Sequence, residues 1–90
     1  MIYPFMTLND ETEIVHSEMN SEGKVKVYME TPDEKLCFKH ATCWLPQNEW
    51  EDVYGYTETE LEYLKSLVSS EAHLIIEFSQ NGGFDNASGF

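Results

Sequence analysis

Thr57 to Gly83, TETELEYLKSLVSSEAHLIIEFSQNGG, is the stretch that decides the fold. It joins a helix start signal, a long helical period and a stop signal. Thr57 followed three residues later by Glu60 forms a capping box, in which each side chain satisfies the other residue's free backbone N–H. Glu58, Glu60 and Glu62 place negative charge at the positive end of the helix dipole. Leu61, Leu64, Val68, Ala72, Ile75 and Ser79 recur at helical spacing and predict a single stripe lying on a sheet. Asn81-Gly82-Gly83 supplies the stop, so the helix is predicted over about Thr57 to Gln80. The same segment carries a second apolar row, Tyr63, Leu67, Leu74 and Phe78, with Ile76 beyond the far edge. Two outcomes are open for that row. The segment around Trp50 or the C-terminal tail covers it, or it forms a homodimer or partner surface.

Upstream of the helix the pattern changes to short strands. Lys24–Thr31, KVKVYMET, alternates cleanly: Val25, Val27 and Met29 on one face, Lys24, Lys26, Tyr28 and Glu30 on the other. Leu36–Leu45, LCFKHATCWL, reads as a second strand that Pro46 ends, with Cys37, Lys39, Ala41, Cys43 and Leu45 on one face. Leu36, Phe38, His40, Thr42 and Trp44 occupy its other face. Met1–Leu8 and Thr12–Met19 are two further strands, the first holding Pro4 at an edge position. Asn9-Asp10-Glu11, Asn20–Gly23 and Pro32-Asp33-Glu34 are turns, with Gly23 free to adopt positive φ. Connections this short permit only antiparallel neighbours. The segment Gln47–Tyr56, QNEWEDVYGY, is read as a one-turn helix from the spacing of Trp50, Val53 and Tyr54. The prediction is therefore α+β: a four-stranded antiparallel meander packed by one long C-terminal helix. It forms a single domain over 1–83, with a tail over 84–90.

Ninety residues suffice for one modest core, burying roughly 60–68% of the unfolded surface. Five Phe, five Tyr and two Trp supply material for it. Charge is the outlier. Seventeen Asp and Glu oppose five basic residues, all Lys, for a net charge of −12. Such a surface repels phosphate backbones and anionic lipid head groups, and without Arg there is no bidentate clamp for phosphate or guanine. Direct nucleic-acid binding and membrane binding are not expected. Met1–Leu8 has no positively charged start, and no apolar run approaches the ~20 residues of a bilayer span, so a cytoplasmic protein is expected.

The chemistry-bearing residues do not converge. Cys37, His40 and Cys43 have a ligand-like spacing, but on a strand His40 points away from both cysteines. The two cysteines lie about 20 Å apart along a straight strand, too far for a disulfide, and are expected as reduced, half-buried thiols. His16, His40 and His73 have no nucleophile placed beside them by the sequence. No phosphate loop, nucleophile elbow or zinc signature occurs. The expectation is a protein that is not an enzyme and carries no cofactor and no metal.

What remains is a run of acids and aromatics. Glu49, Glu51, Asp52, Glu58, Glu60 and Glu62 are interleaved with Trp50, Tyr54, Tyr56 and Tyr63. Charge steers a basic partner and aromatic rings anchor it, so Glu49, Trp50, Glu51, Asp52, Tyr56, Glu58 and Glu62 are the candidate partner-binding residues. The opening MIYPFMTLNDETEIVHSEM and the close AHLIIEFSQNGGFDNASGF resemble a group of short acidic bacterial proteins. That resemblance implies a bacterial cytoplasmic origin and attaches no activity. The sequence thus predicts a non-catalytic interaction module that binds a basic protein such as a toxin. The alternatives are an inhibitor that mimics nucleic acid and a small ligand-binding protein.

Overall fold

The computed structural model describes residues 2–80. Five strands, β1 (Ile2–Thr7), β2 (Glu13–Ser17), β3 (Val25–Asp33), β4 (Cys37–Leu45) and β5 (Glu49–Tyr54), precede one helix, α1 (Glu58–Gln80). The strands lie in chain order in one sheet, every neighbouring pair antiparallel. The meander is therefore five-stranded rather than four-stranded. The expected short helix around Trp50 is instead β5, an edge strand paired with β4. Asn48 makes that strand reachable: its φ of 64° reverses the chain after Pro46, in the left-handed region that Asn tolerates.

One face of the sheet holds the core. Ile14 of β2, Val25, Val27 and Met29 of β3, and Ala41, Cys43 and Leu45 of β4 are all buried, as are Leu64, Val68 and Ile75 of α1. These are the apolar rows of the strands and the centre of the helix stripe, so alternation and helical period meet face to face. The capping box forms as read. Thr57 N–H donates to Glu60 Oε1 at 2.9 Å and Glu60 N–H to Thr57 Oγ1 at 3.2 Å. Lys39 Nζ donates to the other Glu60 oxygen at 2.8 Å, which with the Thr57 N–H holds that carboxyl below its usual range. The Asn81–Gly83 stop and the tail over 84–90 lie outside the described residues.

The second helix row is flanked by β1. The Phe5 and Phe78 rings lie 6.1 Å apart, Leu67 packs on the core, and Leu74 is half-buried. Only Tyr63 stands out, 59% exposed. A bulge after Pro4 re-aims β1. Tyr3 pairs with His16 and Met6 with Ile14, so residues an odd number apart share the core face and Phe5 reaches the helix. Edge strand β1 thus meets this row at Phe78, while the tail that could also cover it lies outside the described residues.

The two cysteines are in unlike places. Cys43 is buried and donates to Asn48 Oδ1 at 3.3 Å, whereas Cys37 is exposed at the start of β4 with a φ of 70°. Both are free, so the expectation of two half-buried thiols fails while the absence of a link between them holds. Burial pushes the Cys43 thiol up to about 12, leaving it unreactive near neutral pH. A chromogenic disulfide reagent should therefore titrate Cys37 alone in the native protein, and both thiols in urea. Equal rates at the two sites would place Cys43 outside the core. Among the described residues no helix is long and apolar enough to cross a membrane.

Candidate protein-interaction surface

The face of the sheet turned away from α1 carries the most distinctive chemistry. Strand alternation and register build it from cross-strand rows. Val15, Tyr28, Thr42 and Glu51 form one row; Glu13, Glu30, His40 and Tyr54 form the next. Lys26, Trp44 and Glu49 form a third. The buried core and α1 lie on the opposite side of the sheet.

A stack of rings runs across it. Tyr28 and His40 lie 6.3 Å apart between centroids with planes inclined 24°, and His40 and Tyr54 5.3 Å apart at 22°. The ladder therefore crosses three strands, from the middle of the sheet to its edge. Phe38 and Tyr54 remain 50% and 48% exposed. Carboxylates flank the rings. Tyr28 OH donates to Glu30 Oε1 at 3.0 Å, and Trp44 Nε1–H donates to Glu51 Oε1 at 3.1 Å. Desolvation first, then the bond to Glu30 and the charges of Glu30 and Asp52, push the Tyr28 hydroxyl up to about 12. It is a protonated donor at any physiological pH.

Lys26 shares this face and Lys24 borders it, but neither is in an ion pair with its acids. The ion pair among the described residues is Lys39–Glu60, away from these rows, and Glu13 stands directly opposite Glu30 across two strands. Like charges so placed repel, by roughly 0.2–1 kcal/mol relative to neutral pairs. An open depression of about 370 Å³ adjoins the face, lined by Asn20, Glu22, Lys24, Trp44, Glu49 and Glu51.

The acid-and-aromatic run read from the sequence is divided by the fold. Glu49 and Glu51 belong to the open face, and Asp52 sits at a bulge with a φ of 57°. Trp50 pairs with Cys43 on the core side, half-buried, its indole donating to Asn48 Oδ1 and lying beneath Lys65 Nζ at 5.9 Å. Tyr56 also turns to the core, its hydroxyl 2.8 Å from Thr31 Oγ1, with burial pushing its pKa up. Glu58 and Glu62 are exposed on α1, across the sheet from the ring ladder. The structure thus brings Glu49, Glu51 and Asp52 together and leaves Trp50, Tyr56, Glu58 and Glu62 elsewhere. Tyr28, Glu30, His40, Trp44 and Tyr54 are the residues that join them. Their signal was the polar side of the alternating strands, where an aromatic or His recurs opposite each apolar row.

Two other constellations are structural. His16 is fully buried, and its Nδ1 lies 2.9 Å from Ser17 O and 3.1 Å from Ser79 Oγ. A carbonyl only accepts, so Nδ1 carries the hydrogen, while Ser79 donates to Ile75 O at 2.7 Å. The pair ties the last turn of α1 to β2, and Nε2 is left with no partner. Beneath the start of α1, Asp10, Thr12, Thr31 and Tyr56 form a hydrogen-bonded chain with links of 2.6, 2.6 and 2.8 Å. A cleft of about 330 Å³ lies beside it, between Leu8, Tyr63 and Leu64, but the polar groups there are already bonded to one another. No cluster of His, Cys, Asp and Glu among the described residues could hold a metal ion. No family model, curated protein or solved structure matches this chain.

Proposed function

We propose that the protein is a non-catalytic acidic interaction module whose open sheet face receives a basic segment of a partner protein, a basic toxin being one such partner. The observation that supports this reading most is the ladder Tyr28–His40–Tyr54, uncovered and bordered by carboxylates with no ion-pair partner. The rings supply a rigid apolar anchor with little side-chain entropy to lose. Glu13, Glu30, Glu49, Glu51 and Asp52 supply attraction and relief of their mutual repulsion when a cation arrives. The net charge of −12 draws such a partner from a distance and keeps anionic polymers away. A different role for the acids on β5 also exists, since charge on an edge strand prevents sheet-to-sheet pairing. That role does not account for Glu30, which lies on the third strand of five.

The test is calorimetric titration of the full chain with an octapeptide of alternating Lys and Arg. Raising NaCl from about 0.01 M to about 0.15 M shortens the Debye length from ~30 Å to ~8 Å. Affinity should fall at least tenfold over that range. Binding that is indifferent to salt, or that is undetectable at the lowest salt, contradicts the proposal.

A further inference from the structure

Resting on the reading of the open face as a site for a basic segment, we infer that it selects arginine over lysine, stacking a guanidinium on the ring ladder. The ladder is a run of three nearly parallel planes that ends on an edge strand. His40 covers one side of Tyr54, and among the described residues no strand lies beyond β5 to cover the other. The next object in that stack must be flat. A guanidinium is flat, weakly hydrated and cationic, with N–H groups around its rim. An ammonium is a compact, strongly hydrated point charge that gains less from a planar ring.

The surroundings choose between two flat groups that stack on exposed rings, a guanidinium and a nucleobase. Aromatic rings on an open sheet also stack bases, but a strand of nucleic acid brings phosphates with them. Here Glu51 and Asp52 precede Tyr54 on β5, and Glu30 stands beyond His40 in the same cross-strand row, none of the three in an ion pair. Carboxylates accept in-plane N–H groups and repel phosphate, so ring and acid together fit one ligand chemistry.

Fluorescence anisotropy with labelled octa-arginine, octa-lysine and oligo-thymidine tests this on the full chain. Octa-arginine should bind about fivefold more tightly than octa-lysine, the increment of one exposed stacking contact. Tyr54→Leu keeps an apolar edge residue and removes the π face. It should reduce the preference to below about twofold, weakening octa-arginine more than octa-lysine. Circular dichroism checks that this variant is folded, and Tyr54→Trp, with a larger ring, should widen the preference. Equal affinities for the two peptides, or a preference that survives Tyr54→Leu, overturns the arginine inference while leaving the basic-partner reading standing. Binding of neither peptide overturns both. Oligo-thymidine binding as tight as octa-arginine overturns the choice of guanidinium over base.

Discussion

Replacing Ile75 by Ala should lower the unfolding free energy by about 2–5 kcal/mol, the usual range for a large aliphatic residue in a closed core. Ile75 is 1% exposed at the centre of the helix stripe, between Val68 and Ser79. The loss combines the transfer free energy of the removed carbons with the cavity they leave. Against a total stability of about 5–15 kcal/mol, this one change approaches unfolding in a domain of ninety residues. Urea titration followed by circular dichroism reads it as a fall in the midpoint with the slope unchanged. Tyr63→Ala on the same helix removes a ring that is 59% exposed and should change stability by no more than about 1 kcal/mol. Equal losses at the two positions would mean that the helix does not dock through its first stripe.

The second large effect concerns charge on the open face. Converting Glu49, Glu51 and Asp52 to Gln, Gln and Asn should weaken a basic octapeptide by roughly 10- to 100-fold at low salt, at about 0.5–1 kcal/mol per exposed pair. The control is Glu58→Gln with Glu62→Gln, which removes charge from the helix on the other side of the sheet. A purely global field would treat the two sets in proportion to the charge they remove. A local site would leave the helix variant within about threefold of the native affinity. Because Glu49 and Glu51 border a face already rich in acid, the triple variant should be no less stable than the native protein. That separates lost binding from lost folding.

The elements that sequence alone reveals are those whose pattern is local. The capping box of Thr57 and Glu60, the stripe through Leu64, Val68 and Ile75, and the alternation of Val25, Val27 and Met29 each lie within a few residues. Each is found where expected. The Asn20–Gly23 turn is equally local: Asn20 Oδ1 accepts from the N–H groups of Glu22 and Lys24, and Gly23 takes a φ of 76°. β5 was hidden by its own bulge. Thr42 pairs with Glu51 but His40 with Tyr54, so β5 spends one residue more than β4 between the two pairs. Trp50 and Tyr54, four apart, would share a face on a regular strand. The extra residue turns Trp50 to the core and Tyr54 to the open side. A flipped parity with apolar residues at 50, 53 and 54 imitates a helical period.

The site was half legible for the same reason. Alternation separates the two faces of β3 and β4 correctly and sets Tyr28 and Glu30 opposite the apolar row of β3. The pattern of β4 does not say which of its faces, the one with His40 and Trp44 or the other, turns inward. The meeting of these residues with Tyr54 depends on the register of three strands and on the bulge, and neither is written in a short stretch. Conversely, the acidic run Glu49–Glu62 looked continuous because it is continuous in the chain. A strand, a turn with Gly55 at a φ of 87° and a helix then distribute it over different surfaces. At Gly55 any Cβ would lie 3.0 Å from Leu36 Cδ1 and Lys39 Cγ, so the turn itself requires glycine.

Backbone amide chemical-shift mapping of the full chain during titration with the basic octapeptide tests the central claim most directly. The open-face account predicts the largest shifts at Tyr28, Glu30, His40, Thr42, Trp44, Glu51 and Tyr54, with Leu64–Gln80 of the helix little changed. Shifts concentrated on the helix around Tyr63, Leu67 and Leu74, with the ring ladder silent, would contradict it.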